Sequence, residues 1–162
     1  MPRVLVIGYG NPLRGDDGFG PLAAEMIAAR RLAGVDAVVT HQLGPELAAA
    51  LSDVDHAVFL DADASREAGP LLAAAVEPRA MSPTALSHDF SPGGLLALSG
   101  LAYGRSPTAT LLTAPARGFG HGAALSAEAR AAAATAADVI AALAESGRLD
   151  TETVRAALVP PA

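Results

Sequence analysis

Four apolar residues in unbroken succession, Val4-Leu5-Val6-Ile7, stand near the start of the chain. A polar, glycine-rich stretch follows them, Gly8-Tyr9-Gly10-Asn11-Pro12-Leu13-Arg14-Gly15-Asp16-Asp17-Gly18-Phe19-Gly20. A short apolar run bounded by turn residues is the pattern of a strand buried on both faces, so residues 3–7 are expected to form the first strand. Leu22, Met26 and Ile27, set among alanines, recur at helical spacing over 20–32. A second strand is expected at 35–42 and a short helix at 44–53, with Leu47 and Leu51 on one face. A third strand at 57–60 runs into Asp61-Ala62-Asp63, and a fourth is expected at 71–76. Pro78 and Pro83 make 77–88 a loop, and Ser91 is placed to cap a helix over 92–101. Residues 108–114 read as the fifth strand and 115–122 as a glycine-rich loop. Residues 126–145 form a long alanine-rich helix with Gly147 just beyond it. From Asp150 the tail is expected to add one more turn or to fray.

Strands alternating with helices predict an α/β fold: a three-layer sandwich, with a twisted, mostly parallel five-stranded sheet flanked by helices. No repeat, linker or charge block divides residues 1–162, so a single domain is expected. At 51% hydrophobic and 4% aromatic residues, its core must be built from Ala, Leu and Val.

Charge and composition then remove classes of function. The net charge of −6 argues against a nucleic-acid footprint. No apolar run approaches the about 18 residues of a membrane span. The early apolar run is too short for a signal peptide, so a cytoplasmic protein is expected. There is no Cys, hence no thiolate metal site and no cysteine nucleophile. All 11 basic residues are Arg, which excludes a Schiff-base lysine and a phosphate-loop lysine.

Three positions gather chemistry at comparable places in this topology. Asp17 follows the first strand, Asp61 closes the third, and His88 lies in the loop after the fourth. In open α/β sheets ligands bind outside the carboxyl ends of the strands. If the sheet is parallel throughout that region, all three loops open at one edge. Two carboxylates and an imidazole suit a borderline divalent metal and leave coordination positions for a substrate. Plainer roles stand beside these. Asp16 or Asp17 could cap the first helix. Asp61 could bond loop amides, with Asp63 a competitor for its role. His88 could be an exposed loop residue, and His41, His56 and His121 structural or exposed. Asn11 is placed to hold the loop through side-chain-to-backbone bonds. Arg14 is placed to steer an anionic group or simply to be solvated. At least one of Gly8, Gly10, Gly15 and Gly18 is expected at positive φ, where the chain turns from strand to helix.

Rival motifs are incomplete. Gly8-x-Gly10 begins like a dinucleotide fingerprint, but its third glycine position is Leu13. Ser87-His88-Asp89 has the residue types of a serine triad, yet adjacent residues rarely converge in that geometry.

Gly8-x-Gly10-Asn11-x-Leu13-x-x-Asp16-Asp17-Gly18-x-Gly20, then Asp61-Ala62, then Ser87-His88 ahead of Pro92-x-x-Leu95-Leu96, and Leu125-Ser126 opening the last long helix, together resemble the hydrogenase maturation endopeptidases. The order matches from about residue 3 to about residue 146. The resemblance implies a protease that removes the C-terminal peptide of a NiFe-hydrogenase large-subunit precursor after nickel insertion. It maps the family's metal-contacting residues onto Asp17, Asp61 and His88, which would also be catalytic, with Gly10, Asn11 and Asp16 serving the substrate-binding loop. The first acidic position is Glu in some members and Asp here, one methylene shorter. Nickel would be carried by the substrate, so no permanently bound cofactor is expected. The implied partner is the precursor, with no nucleic acid and no membrane, and the protein is expected to be a monomer. The alternative is a non-cleaving, metal-responsive binding module or chaperone of the same fold. Gly-Asn-Pro also echoes peptidyl-tRNA hydrolase, but that reading needs a basic face that an acidic, lysine-free chain lacks.

Overall fold

Every residue of Val4-Leu5-Val6-Ile7 is buried, because helices cover both faces of the sheet that contains it. The computed structural model describes residues 2–80 and 90–160. Its elements run Val4–Tyr9 (β1), Phe19–Ala29 (α1), Val35–Thr40 (β2), Leu47–Ser52 (α2), His56–Asp63 (β3), Leu72–Val76 (β4), Pro92–Tyr103 (α3), Thr108–Pro115 (β5), Ala127–Glu145 (α4) and Thr151–Leu158 (α5). A turn of 3-10 helix, Gly15–Gly18, leads into α1. The strands lie in the order β2-β1-β3-β5-β4. β1 pairs in parallel with β2 and β3, and β3 with β5, so the expected mostly parallel five-stranded sheet is what forms.

Alternation along the strands divides the core into two halves, one on each face of the sheet. Val4, Val6, Val58, Leu60 and Leu112 pack with α1 and α4. Leu5, Ile7, Ala57, Phe59 and Ala109 pack with α2 and α3. The sheet between two helical layers is the three-layer sandwich. Small residues carry much of it: Ala133, Ala136 and Ala137 let α4 lie close to its neighbours. The tail does not fray. Asp150 caps α5 through a capping box with Thr153, satisfying two otherwise orphaned backbone amides.

One strand departs from the expectation on which the chemistry was placed. β4 runs antiparallel to β5, with Leu72 opposite Thr113 and Val76 opposite Ala109. A parallel return needs a crossover of a dozen or more residues, usually a helix. The link from Asp63 to Leu72, with Gly69 and Pro70 in it, is too short for one. The chain therefore leaves β4 at the sheet edge opposite to the one where β1 and β3 end. The premise that His88 follows a parallel strand is corrected. His88, with Ser87 and Asp89, lies outside the described residues. The chain is again described from Phe90, at the edge where β1 and β3 end.

α1 begins directly over that edge. A Cβ on Gly20 would stand 2.4 Å from the Leu60 carbonyl oxygen and 2.5 Å from that of Tyr9, so only glycine permits the approach. Among the described residues no helix is long and apolar enough to cross a membrane.

Candidate active site

The alternation that builds the core also places the site. Leu5, Ile7 and Tyr9 share one face of β1, and Ala57, Phe59 and Asp61 share the same face of β3. The apolar ladder thus ends in a phenol beside a carboxylate, at the C-terminal rim of the sheet. The cleft there measures about 490 Å³. Asp17, Asn11 and Arg14 line it from the loop after β1, Asp61 from β3, His41 and Gln42 from the end of β2, and Phe90, Ser91 and Pro92 from the start of α3.

Asp17 reaches this cleft because its loop folds back on the end of β1. Gly10 has φ of +141°, and a Cβ there would lie 2.0 Å from the Asp17 carbonyl oxygen. Gly15 is also at positive φ, so the expectation of left-handed glycine in this loop holds at two positions. The Asn11 amide donates to Asp17 Oδ2 at 2.6 Å, while Asn11 Oδ1 accepts from the Leu13 amide at 2.9 Å. Asn11 therefore holds the loop as its side chain suggested. Neither Asp16 nor Asp17 caps a helix: no side-chain cap bond is made at the 3-10 turn or at α1.

Asp16 does not line the cleft. It is 2% exposed and serves as a buried strut. Its Oδ1 accepts from the Ser126 amide at 2.8 Å, and its Oδ2 from the Arg117 amide at 2.8 Å and the Ser126 hydroxyl at 2.9 Å. Burial alone would raise its pKa. The bonds from Arg117 and Ser126 together outweigh that, and hold the carboxyl below its ordinary range.

The choice between Asp61 and Asp63 is made by their partners. Asp63 Oδ1 accepts from the Ser65 amide and hydroxyl, and Oδ2 from Arg66 Nε at 3.0 Å. The Ser65 bonds, with Arg66, hold its pKa below the usual carboxylate range. Asp61 has no such cage. Burial pushes its pKa up to about 6; bonds from the Tyr9 hydroxyl and the Ala62 amide oppose the rise, and the charges of Asp17 and Asp63 add to it. Tyr9 is in turn raised far above its ordinary range, chiefly by burial and also by the Asp61 charge and hydrogen bond. Its hydroxyl therefore stays neutral beside the Asp61 carboxyl.

The structure therefore brings Asp17, Asp61, Gly10 and Asn11 to one cleft and sets Asp16 behind it. Among the described residues no three His, Cys, Asp or Glu side chains stand together closely enough to hold a metal ion. Sequence reasoning overlooked Tyr9, although its shared parity with Ile7 and its place opposite Asp61 were legible. It also took His41 as structural or exposed. His41 is exposed, yet it lines the cleft. His56, at the other end of β3, is structural: its ring nitrogens bond the hydroxyls of Thr108 and Thr110 at 2.8 and 2.9 Å.

A mostly parallel α/β sheet with a carboxylate-lined cleft at its C-terminal rim defines the class. No protein-family model matches the chain, and no curated protein matches it. Solved structures do. The hydrogenase maturating endopeptidase HybD from E. coli is 25% identical, with a TM-score of 0.67, over 90% of this chain and 94% of that one. The hydrogenase 2 maturation peptidase from Thaumarchaeota archaeon SCGC_AB-539-E09 is 29% identical, with a TM-score of 0.64, over 91% of this chain and 99% of that one. The [NiFe] hydrogenase maturation protease HycI from Thermococcus kodakarensis KOD1 shares the fold at 19% identity, with a TM-score of 0.69, over 89% of this chain and 93% of that one. The chain has the fold of these hydrogenase maturation endopeptidases over about nine-tenths of its length, and that likeness supports a peptidase of their kind.

Proposed function

We propose that this peptidase removes the C-terminal peptide from the large-subunit precursor of a NiFe hydrogenase once nickel has been inserted. Asp17, Asp61 and His88 would meet the nickel that the precursor carries. The observation that supports the reading best is the convergence of Asp17 and Asp61 on one cleft, in a fold shared with maturation endopeptidases. Two carboxylates without a thiolate form a weak nickel site by themselves, since soft or imidazole donors suit that metal better. Nickel in the precursor would bring its own ligands and complete the set. Precursor without nickel would lack the contact, so metal insertion is checked before the tail is cut.

Hydrolysis needs a water deprotonated as it attacks the scissile carbonyl, and a proton for the leaving amine. A buried carboxylate near pKa 6 is suited to take the first proton close to neutral pH. Polarisation of the carbonyl or water by the substrate's cation is the other route. Both use Asp61 beside Asp17, and both place the bond to be cut next to the nickel.

The test is the mass of a coexpressed large subunit. Wild-type protein should shorten the nickel-loaded precursor and leave nickel-free precursor intact. Asp17→Ala, Asp61→Ala and His88→Ala should each abolish the shortening while keeping a native circular dichroism spectrum. Normal processing by all three variants would sink the site, and equal cleavage of both precursors would sink the checkpoint.

A further inference from the structure

Leu13 and Arg14 have no part in the chemistry described above, and both are anchored by hydrogen bonds beside the cleft. Leu13 is 65% exposed, and its backbone is pinned on both sides. Its amide donates to Asn11 Oδ1 at 2.9 Å, and its carbonyl accepts from the Gly122 amide at 2.8 Å. Arg14 lines the cleft, and its Nε donates to the Phe119 carbonyl at 3.1 Å. That bond aims the guanidinium. Among the described residues its terminal nitrogens make no hydrogen bond, and no carboxylate lies within ion-pair range. Among the described residues the other formal charges lining the cleft are the carboxylates Asp17 and Asp61.

Away from the nickel they would meet, Asp17 and Asp61 disfavour an acidic side chain, and Arg14 is the place in the described lining that favours one. A cation unpaired among the described residues, fixed at one point of the rim, thus favours one register of such a tail over the others. A guanidinium does this better than an ammonium would, since its planar fork takes both oxygens of a carboxylate. The neighbouring Leu13 adds an apolar contact whose backbone is already ordered, so little entropy is lost when it is covered.

We propose that Leu13 and Arg14 form the substrate-reading shoulder of the cleft. Arg14 grips one carboxylate side chain on the precursor's tail, and Leu13 packs against an apolar side chain beside it. This rests on the precursor-processing reading above.

The test is steady-state cleavage of nickel-loaded precursor, together with its binding measured by titration. Arg14→Gln should raise KM and Kd about tenfold, as expected for losing a charged hydrogen-bonded pair, with kcat unchanged. Arg14→Lys should fall between, and Leu13→Ser should give a smaller rise. Replacing the tail's Asp and Glu residues one at a time by Asn and Gln should find one position that weakens binding to wild type. At that position the difference between wild type and Arg14→Gln should vanish. Both residues are exposed, so melting temperatures should stay at the wild-type value. Wild-type affinity in Arg14→Gln, a loss in kcat instead of KM, or no tail position that cancels the difference would each overturn the shoulder. Wild-type protein that binds precursor without cutting it would overturn the processing reading alone, and the Kd comparison would still decide the shoulder.

Discussion

Asp61 and Asp63 are two residues apart on one strand end, and their environments drive them in opposite directions. Asp63 is stabilised as an anion by Ser65 and Arg66. Asp61 is raised to about 6 by burial, with the Tyr9 hydroxyl opposing the rise. A carboxyl whose folded pKa exceeds its unfolded value of about 3.9 binds more protons when folded. Stability from it is present at low pH and lost as pH rises from about 4 to 6. Ionised Asp61 is thus a standing cost of the site at neutral pH. Asp61→Asn, which removes the charge and keeps the shape, should raise the melting temperature by a few degrees at pH 7 and leave it unchanged at pH 4, while abolishing processing. Paired thermal melts at the two pH values check this. An equal shift at both would mean that burial of the charge is not the cause.

At the scale of elements, the loop after β1 works as one piece with the segment leading into α4. Asp16 supplies the join, accepting from Arg117 and Ser126 across more than a hundred residues of sequence. Ser126 also caps α4 by accepting from the Ala129 amide. Asp16→Ala should strand two amides and a hydroxyl in a partly buried place, a loss of about 1–2 kcal/mol. The expected result is a lower melting temperature and faster tryptic cleavage after Arg117, with binding of the precursor weakened because the cleft loop loosens. A variant that melts with the wild type would show that the join is dispensable. Apolar runs, caps and alternation made the elements themselves legible, including Ser91 before α3 and Ser126 before α4. The direction of β4 was not read, although the short link with Gly69 and Pro70 carried the signal.

At the scale of the whole molecule, the sheet has a chemical end and a structural end. Asp61 sits at the C-terminal rim of β3, and His56 at the other end of the same strand. Burial holds His56 below its ordinary pKa, with Asp150 opposing. A histidine buried neutral must gain a proton on unfolding at low pH. Its unfolded state therefore binds more protons, and stability falls as pH drops below about 6.5. His56 and Asp61 thus tilt the stability profile in opposite senses across neighbouring windows. With Asp61→Asn as background, the drop in melting temperature between pH 7 and pH 5 should become steeper than in wild type. His56→Gln in that background should flatten it. An unchanged slope in both variants would remove these two groups as its source.

Period and punctuation are local properties. Val4-Leu5-Val6-Ile7 must be buried on both faces wherever it lies, and Gly-Tyr-Gly-Asn-Pro must turn whatever it contacts. The sequence by itself therefore determined the α/β class, the helices and strands in order, the exclusions that follow from having no Cys and no Lys, and the motifs that carry the family resemblance. Tertiary structure decided what depends on partners remote in sequence. It turned β4 antiparallel, gave Asp63 to Arg66 and left Asp61 to the cleft. It buried Asp16 as a strut to Ser126, and brought Tyr9, His41 and Phe90 to the same rim as Asp17. Each outcome depends on which groups meet across the sheet, and that is set by packing two apolar faces at once. A linear pattern names the candidates for such contacts without choosing among them.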